Sequence, residues 1–137
     1  MTRSPVLPNG TLVLDCEGLA KAALRDPNMA EWLAAARLRD KRVITSAATL
    51  VEVAHPGIKW AALQWTLSRV TVEPVTESVA QQAATLLKEA RLHGHKYAVD
   101  AMLSATALAA SPPVMVLTSD PQDIRALCGG RVAVVKI

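Results

Sequence analysis

The stretch HKYAVDAMLSATALAASPPVMVLTSD, residues 95–120, decides the fold. From about 96 to 110 it is apolar on almost every side, which predicts a central helix. Pro112-Pro113 stops that helix. VMVLT (114–118) then has the length and β-branching of a buried strand. A helix that leads back into a parallel strand begins at the sheet edge where the strands end. Asp100, in about the first turn of the helix, and Asp120, just past the strand, are therefore expected at one edge.

The rest of the chain repeats this alternation. TLVLD (11–15) reads as a buried strand ending in an acid, and 17–25 as a short helix. Asp26-Pro27-Asn28 is a stop and restart. Residues 29–40 place Met29, Trp32, Leu33, Ala36 and Leu38 on one helical face. RVITS (42–46) is a second strand, followed by a helix over about 47–54 that carries Leu50, Val51, Glu52 and Val53. His55-Pro56-Gly57 breaks it, and 58–68 suits another helix with Trp60, Leu63 and Leu67 inward. VTVEPV (70–75) is a short strand that Pro74 confines to a sheet edge or end. A long helix covers 77–92 and His93-Gly94-His95 ends it. After Asp120, a short helix spans about 121–128, Gly129-Gly130 turns, and VAVVKI (132–137) closes as a strand. The expected fold class is α/β: a three-layer α/β/α sandwich with a mostly parallel sheet. One domain is expected over 1–137, with residues 1–10 as an irregular leader.

Composition bounds the function. The chain of 137 residues is 51% hydrophobic but only 3% aromatic, so its core must be built from Ala, Leu and Val. A net charge of +3 is compatible with a polyanionic substrate without assigning one. Cys16 and Cys128 have no metal-ligand spacing and do not form a disulfide framework, so a reducing, cytoplasmic setting is expected, with both as small buried hydrophobes. MTRSPVLPNG lacks the apolar core of a signal peptide. The apolar region 97–117 is interrupted by Ser104, Thr106, Ser111 and two prolines and carries Asp100, which argues against a membrane span.

The acids gain meaning from the topology. Asp15 and Asp120 follow strand ends, Glu52 lies in the first two turns after the second strand, and Asp100 starts a returning helix. All four are expected at the edge where open α/β sheets bind ligands. Packed carboxylates raise one another's pKa unless a cation compensates, and hard oxygen donors suit Mg²⁺ or Mn²⁺. Such a metal can polarise a phosphodiester and activate water. Taken singly, the acids have plainer explanations: Asp120 before Pro121 suits a helix cap, Asp123 suits the helix dipole, and Glu52 suits solvent. Asp100 resists one, because Ala98, Val99, Ala101, Met102 and Leu103 around it are all apolar.

LVLDCEGL (12–19), ATLVEV (48–53), HKYAVDAMLSATAL (95–108) and VLTSDPQDI (116–124) resemble the ordered motifs of PIN-domain nucleases, and especially of the VapC-like toxins of toxin–antitoxin modules. The resemblance spans roughly residues 11–135. It implies a Rossmann-like sandwich, Mg²⁺- or Mn²⁺-dependent cleavage of RNA, and an antitoxin protein as partner, and it is compatible with a homodimer. By resemblance, Asp15, Glu52, Asp100 and Asp120 are the catalytic acids, with metal held by Asp15, Asp100 and Asp120. Thr118 matches a polar residue that orients a carboxylate or contacts phosphate. Cys16 departs from the Ser or Thr that often follows the first aspartate. Spacing leaves open whether Asp120 or Asp123 faces the metal; Asp120 is preferred. An RNA-processing nuclease without an antitoxin, and a catalytically silent binding module, remain as alternatives. A phosphotransfer receiver is disfavoured, because Lys136 comes too late for its lysine loop.

Three further groups have bland expected roles. His93 and His95 are expected near the negative end of the preceding helix. Arg37, Arg39, Lys41 and Arg42 read as a solvated helix end, with phosphate contact as the alternative. Trp32, Trp60 and Trp65 are expected in packing, with an interface role for Trp60 or Trp65 as the alternative.

Overall fold

The computed structural model describes residues 9–137, so the expected leader falls mostly outside the described residues. Its strands are β1 (Thr11–Leu14), β2 (Arg42–Ser46), β3 (Thr71–Glu73), β4 (Val114–Thr118) and β5 (Ala133–Lys136). The helices are α1 (Cys16–Ala23), α2 (Pro27–Leu38), α3 (Ala47–Val53), α4 (Trp60–Leu67), α5 (Glu77–Ala90), α6 (Gly94–Ala109) and α7 (Pro121–Cys128). All strand pairings are parallel, in the order β3-β2-β1-β4-β5. The chain builds outward from β1 to β3, then crosses through α5 and α6 to the other side of β1. Strand order therefore reverses between β1 and β4, and a crevice at the ends of these strands is the expected ligand position.

The two-residue period of the strands divides the core. Leu12 and Leu14 of β1 and Leu117 of β4 pack with Leu19, Met29, Val53 and Leu63 from α1–α4. The alternate residues Val13, Val116 and Val114 pack with Leu103, Ala107 and Ile124 from α6 and α7. A third cluster, with Ala83 and Leu86, seats α5 on α6 and α7. The sheet thus lies between two helical layers, as the alternation of elements implied. Gly10 feeds β1 with φ +108°, and a Cβ there would stand 2.5 Å from the Pro113 carbonyl oxygen. Only glycine fits that close approach of the two strand entrances.

The surface corrects part of the sequence reading. Leu38 is 86% exposed and Val51 is also exposed, so neither belongs to its helix's inward face. Trp32 is half-buried against the core, but Trp60 and Trp65 are 56% and 51% exposed. Their helix is apolar over most of its circumference, so composition gave little indication of which side turns inward. Among the described residues, no helix is long and apolar enough to cross a membrane.

Candidate active site

Asp15 stands where β1 ends and α1 begins. Its backbone is extended and it caps α1: Oδ1 accepts the Gly18 N–H at 2.8 Å. Oδ2 accepts the Ser119 N–H at 3.0 Å, from the loop after β4. The carboxylate is only 6% exposed and ties two neighbouring strand ends together. The capping role that an acid at this position ordinarily plays is therefore real here, and the second oxygen adds a long-range tie. Each oxygen keeps a further lone pair.

Below Asp15 lies a buried hydroxyl pair. Thr45 and Thr49, at i,i+4 across the β2–α3 junction, have their Oγ1 atoms 2.7 Å apart. They reach the carbonyls of Leu14 and Ser46, each at 2.7 Å. This pair fixes the end of β1 against the start of α3. Sequence reasoning passed over it, although two threonines one helical turn apart at a strand end were its visible signal.

Thr118 is fully buried at the end of β4, and its Oγ1 accepts the Asp120 N–H at 2.9 Å. It thus orients the turn that carries Asp120. Asp120 occupies the N-cap position of α7 but makes no side-chain cap bond, and it is exposed. Asp123 lies in the first turn of α7, half-buried. Both are near the positive end of the helix, which favours their charge.

Asp100 arrives from α6. That helix loses helical geometry at Tyr97 (φ −112°, ψ 17°), so Asp100 falls in the first turn of its continuous part. Carboxylate oxygens of Asp100, Asp120 and Asp123 all lie within 4.8 Å of one another. Asp15 and Glu52 stand outside this trio but close enough to act on it. Burial pushes the Asp100 carboxyl up to about 7, and the charges of Asp120, Glu52, Asp123 and Asp15 add to the rise. Glu52 is on the exposed side of α3, and its charge acts on the Cys16 thiol. Burial, then Glu52 and Asp15, push that thiol up to about 12, so Cys16 stays protonated beside the acids. Both cysteines are free, and Cys128 is buried while Cys16 is half-buried.

The structure therefore brings together all the acids the sequence singled out, with unequal closeness. Asp120 and Asp123 do not compete for one place: three residues apart on α7, they face Asp100 together. The histidines are elsewhere in role. His93 follows the C-cap Arg91 of α5 by two residues and is itself the N-cap residue of α6, with no side-chain cap bond. His95 is exposed.

A family model for the PIN domain matches residues 19–127. The chain belongs to the PIN-domain family. The match begins after Asp15 and does not include that residue. Among solved structures, the PIN fold here is similar to a chain in the crystal structure of VapBC2 from Rickettsia felis bound to a DNA fragment from their promoter. The TM-score is 0.68 at 13% identity, covering 93% of this chain and 98% of that one. No curated protein matches by sequence.

PIN domains are generally nucleases, and they typically use divalent metal ions. The donor set suits such an ion. Three carboxylates converge, one of them pushed toward neutrality by burial and then by its neighbours' charges, and a hard dication would offset both. No histidine or cysteine belongs to the trio, which disfavours a softer metal.

Proposed function

We propose that the chain is a metal-dependent endoribonuclease, and that it acts as the toxin of a toxin–antitoxin pair in the cytoplasm. The observation that carries this reading is the convergence of Asp100, Asp120 and Asp123 within 4.8 Å at the sheet's switch point. Asp100, Asp120 and Asp123 would hold Mg²⁺ or Mn²⁺, with Asp15 on its inner side and Glu52 at the rim. The ion would supply electrostatic stabilisation to a phosphodiester and lower the pKa of water. The protein's own part is to position the acids. Asp15 locks the ends of β1 and β4, Thr118 sets the Asp120 turn, and the break at Tyr97 aims Asp100 into the cluster. Asp100, raised toward neutrality, is suited to release its proton when a cation arrives.

The likeness to the VapBC2 structure supports the toxin reading by analogy of fold, and it motivates an antitoxin as partner. The test is direct. RNA incubated with the purified chain and Mg²⁺ or Mn²⁺ should be cut, and EDTA, Asp15→Ala or Asp100→Ala should stop the cutting. Cutting that survives all three would overturn the proposal. Co-expression with a small gene found beside its own should yield a complex in which cleavage is blocked; the lack of such a gene, or free cleavage in that complex, would leave an RNA-processing nuclease instead.

A further inference from the structure

Thr45 and Thr49 make three contacts of 2.7 Å: one to each other, one to the Leu14 carbonyl and one to the Ser46 carbonyl. Both side chains are fully buried. Each hydroxyl has one proton to give, so two protons must serve three contacts. Donation therefore runs along the row in one direction at a time. Thr49 donates to Thr45 and Thr45 to Leu14, or Thr45 donates to Thr49 and Thr49 to Ser46. The bond between the two hydroxyls is common to both arrangements, and it exists only while both hydroxyls are present. Buried threonines commonly do no more than satisfy nearby carbonyls. That plain role covers the Leu14 and Ser46 contacts taken singly, but it leaves the short contact between the hydroxyls unexplained.

The shared bond joins the end of β2 to α3, a helix of only seven residues. So short a helix is not held by its own backbone bonds and takes its direction from tertiary ties. It leads out through an extended Ala54. Glu52 stands one turn beyond Thr49 on this helix, and Leu14 directly precedes Asp15. The row of hydroxyls thus runs from the base of one acid to the helix that carries another. Cys16 lies between those acids, where, after burial, the charges of Glu52 and Asp15 act on it. We propose that Thr45 and Thr49 are a positioning pair: their mutual bond fixes the direction in which α3 leaves β2, and so sets Glu52 against Asp15. The proposal rests on the ribonuclease reading only for the part Glu52 plays in cleavage; the positioning itself belongs to the metal-free chain.

The experiment compares Thr45→Val, Thr49→Val, the double variant T45V/T49V and Thr49→Ser in the full chain. Valine keeps the shape and removes the hydroxyl, whereas serine keeps the hydroxyl. With RNA and Mn²⁺, each valine variant should lower kcat roughly tenfold or more while KM stays put, since misplacing a catalytic group by about 1 Å can cost ~100-fold. The double variant should be no worse than either single one, because each already removes the shared bond. Thr49→Ser should restore kcat. Without metal, iodoacetamide labelling read by mass spectrometry should speed up at half-buried Cys16 and stay slow at buried Cys128 in the valine variants. Equal acceleration at both cysteines would show general loosening and overturn the proposal. So would losses that multiply in the double variant, or a serine variant as impaired as the valine one. Normal cleavage and unchanged labelling in Thr49→Val would sink the positioning pair and leave the nuclease standing. Selective Cys16 labelling in a chain that never cleaves RNA would keep the positioning pair and remove the ribonuclease reading.

Discussion

The two edges of this sheet carry opposite charge and are built in opposite ways. At the carboxyl edge the acids are packed together, and Asp15 and Asp100 are partly or wholly withdrawn from water. At the amino edge the arginines are exposed and spread around a cavity, with Arg25 and Arg69 both against the Trp65 ring. Helix polarity accounts for part of this, since α1 and α7 begin at the first edge and α1, α2 and α4 end at the second. It does not account for the strain at the first edge. The dipole stabilises Asp15, Asp120 and Asp123, whereas Asp100 is driven toward neutrality by burial and by its neighbours. Charge that merely suits a fold is relaxed, and charge kept against electrostatic cost marks a candidate functional site.

The sharpest way to break this comparison is at Asp100. Asp100→Asn should lower metal-dependent cleavage at least about 100-fold, the upper end of what even the outer partners of metal ligands cost. The same change should make the metal-free protein more stable at pH 8, as measured by thermal melting. The sign follows from the shift. The carboxyl moves from 3.8 to about 7 on folding, so the folded state binds the proton more tightly. The Asp100 contribution to stability is therefore greatest below about pH 4 and is lost as pH rises through 7. The Asn variant should lack this slope, and Mg²⁺ or Mn²⁺ should stabilise the unaltered protein more at pH 8 than at pH 5. A parallel pH profile in both proteins would remove Asp100 from the argument.

Asp15→Asn should act on fold and site together. An amide offers one acceptor oxygen where two N–H groups need one each, and a stranded buried donor costs about 1–3 kcal/mol. A chemical-denaturation midpoint that does not move would show that the Gly18 and Ser119 bonds contribute nothing. Thr118→Val removes the acceptor for the Asp120 N–H. It should cost about 1 kcal/mol and loosen the turn without changing the sheet. The smallest effect is expected at the other edge, where Arg42→Ala should change stability by no more than about 0.5 kcal/mol. Its ion pair with Glu73 is exposed and screened. A large loss there would contradict the relaxed character assigned to that edge.

The sheet and the carboxyl edge were legible in the sequence because each rests on local pattern. The short apolar runs define the strands, and an acid directly after a run, as at Asp15, or amid apolar neighbours, as at Asp100, needs no distant information to stand out. The choice between Asp120 and Asp123 was not legible. Asp120 caps α7 and Asp123 lies in its first turn, and only the position of α6 opposite shows that both lie close to Asp100. The amino-edge cavity was hidden for a different reason. Arg25, Arg37, Lys41 and Arg69 come from three separate helix ends, so the charge run seen at 37–42 looked like a solvated terminus. Trp65 was read as core because α4 has too little polar sequence to show which side faces water.

One consequence of the Asp15 geometry reaches beyond the present chain. Two backbone donors from different segments converge on this single carboxylate, so the position serves architecture whatever its part in the proposed chemistry, and mutation there cannot leave the fold untouched. Asp100 has no such double obligation, and its charge opposes folding. A relative of this protein that kept the shape without the proposed cleavage would be expected to lack Asp100 and retain Asp15, so an aspartate at the first strand end is by itself a poor indicator of activity.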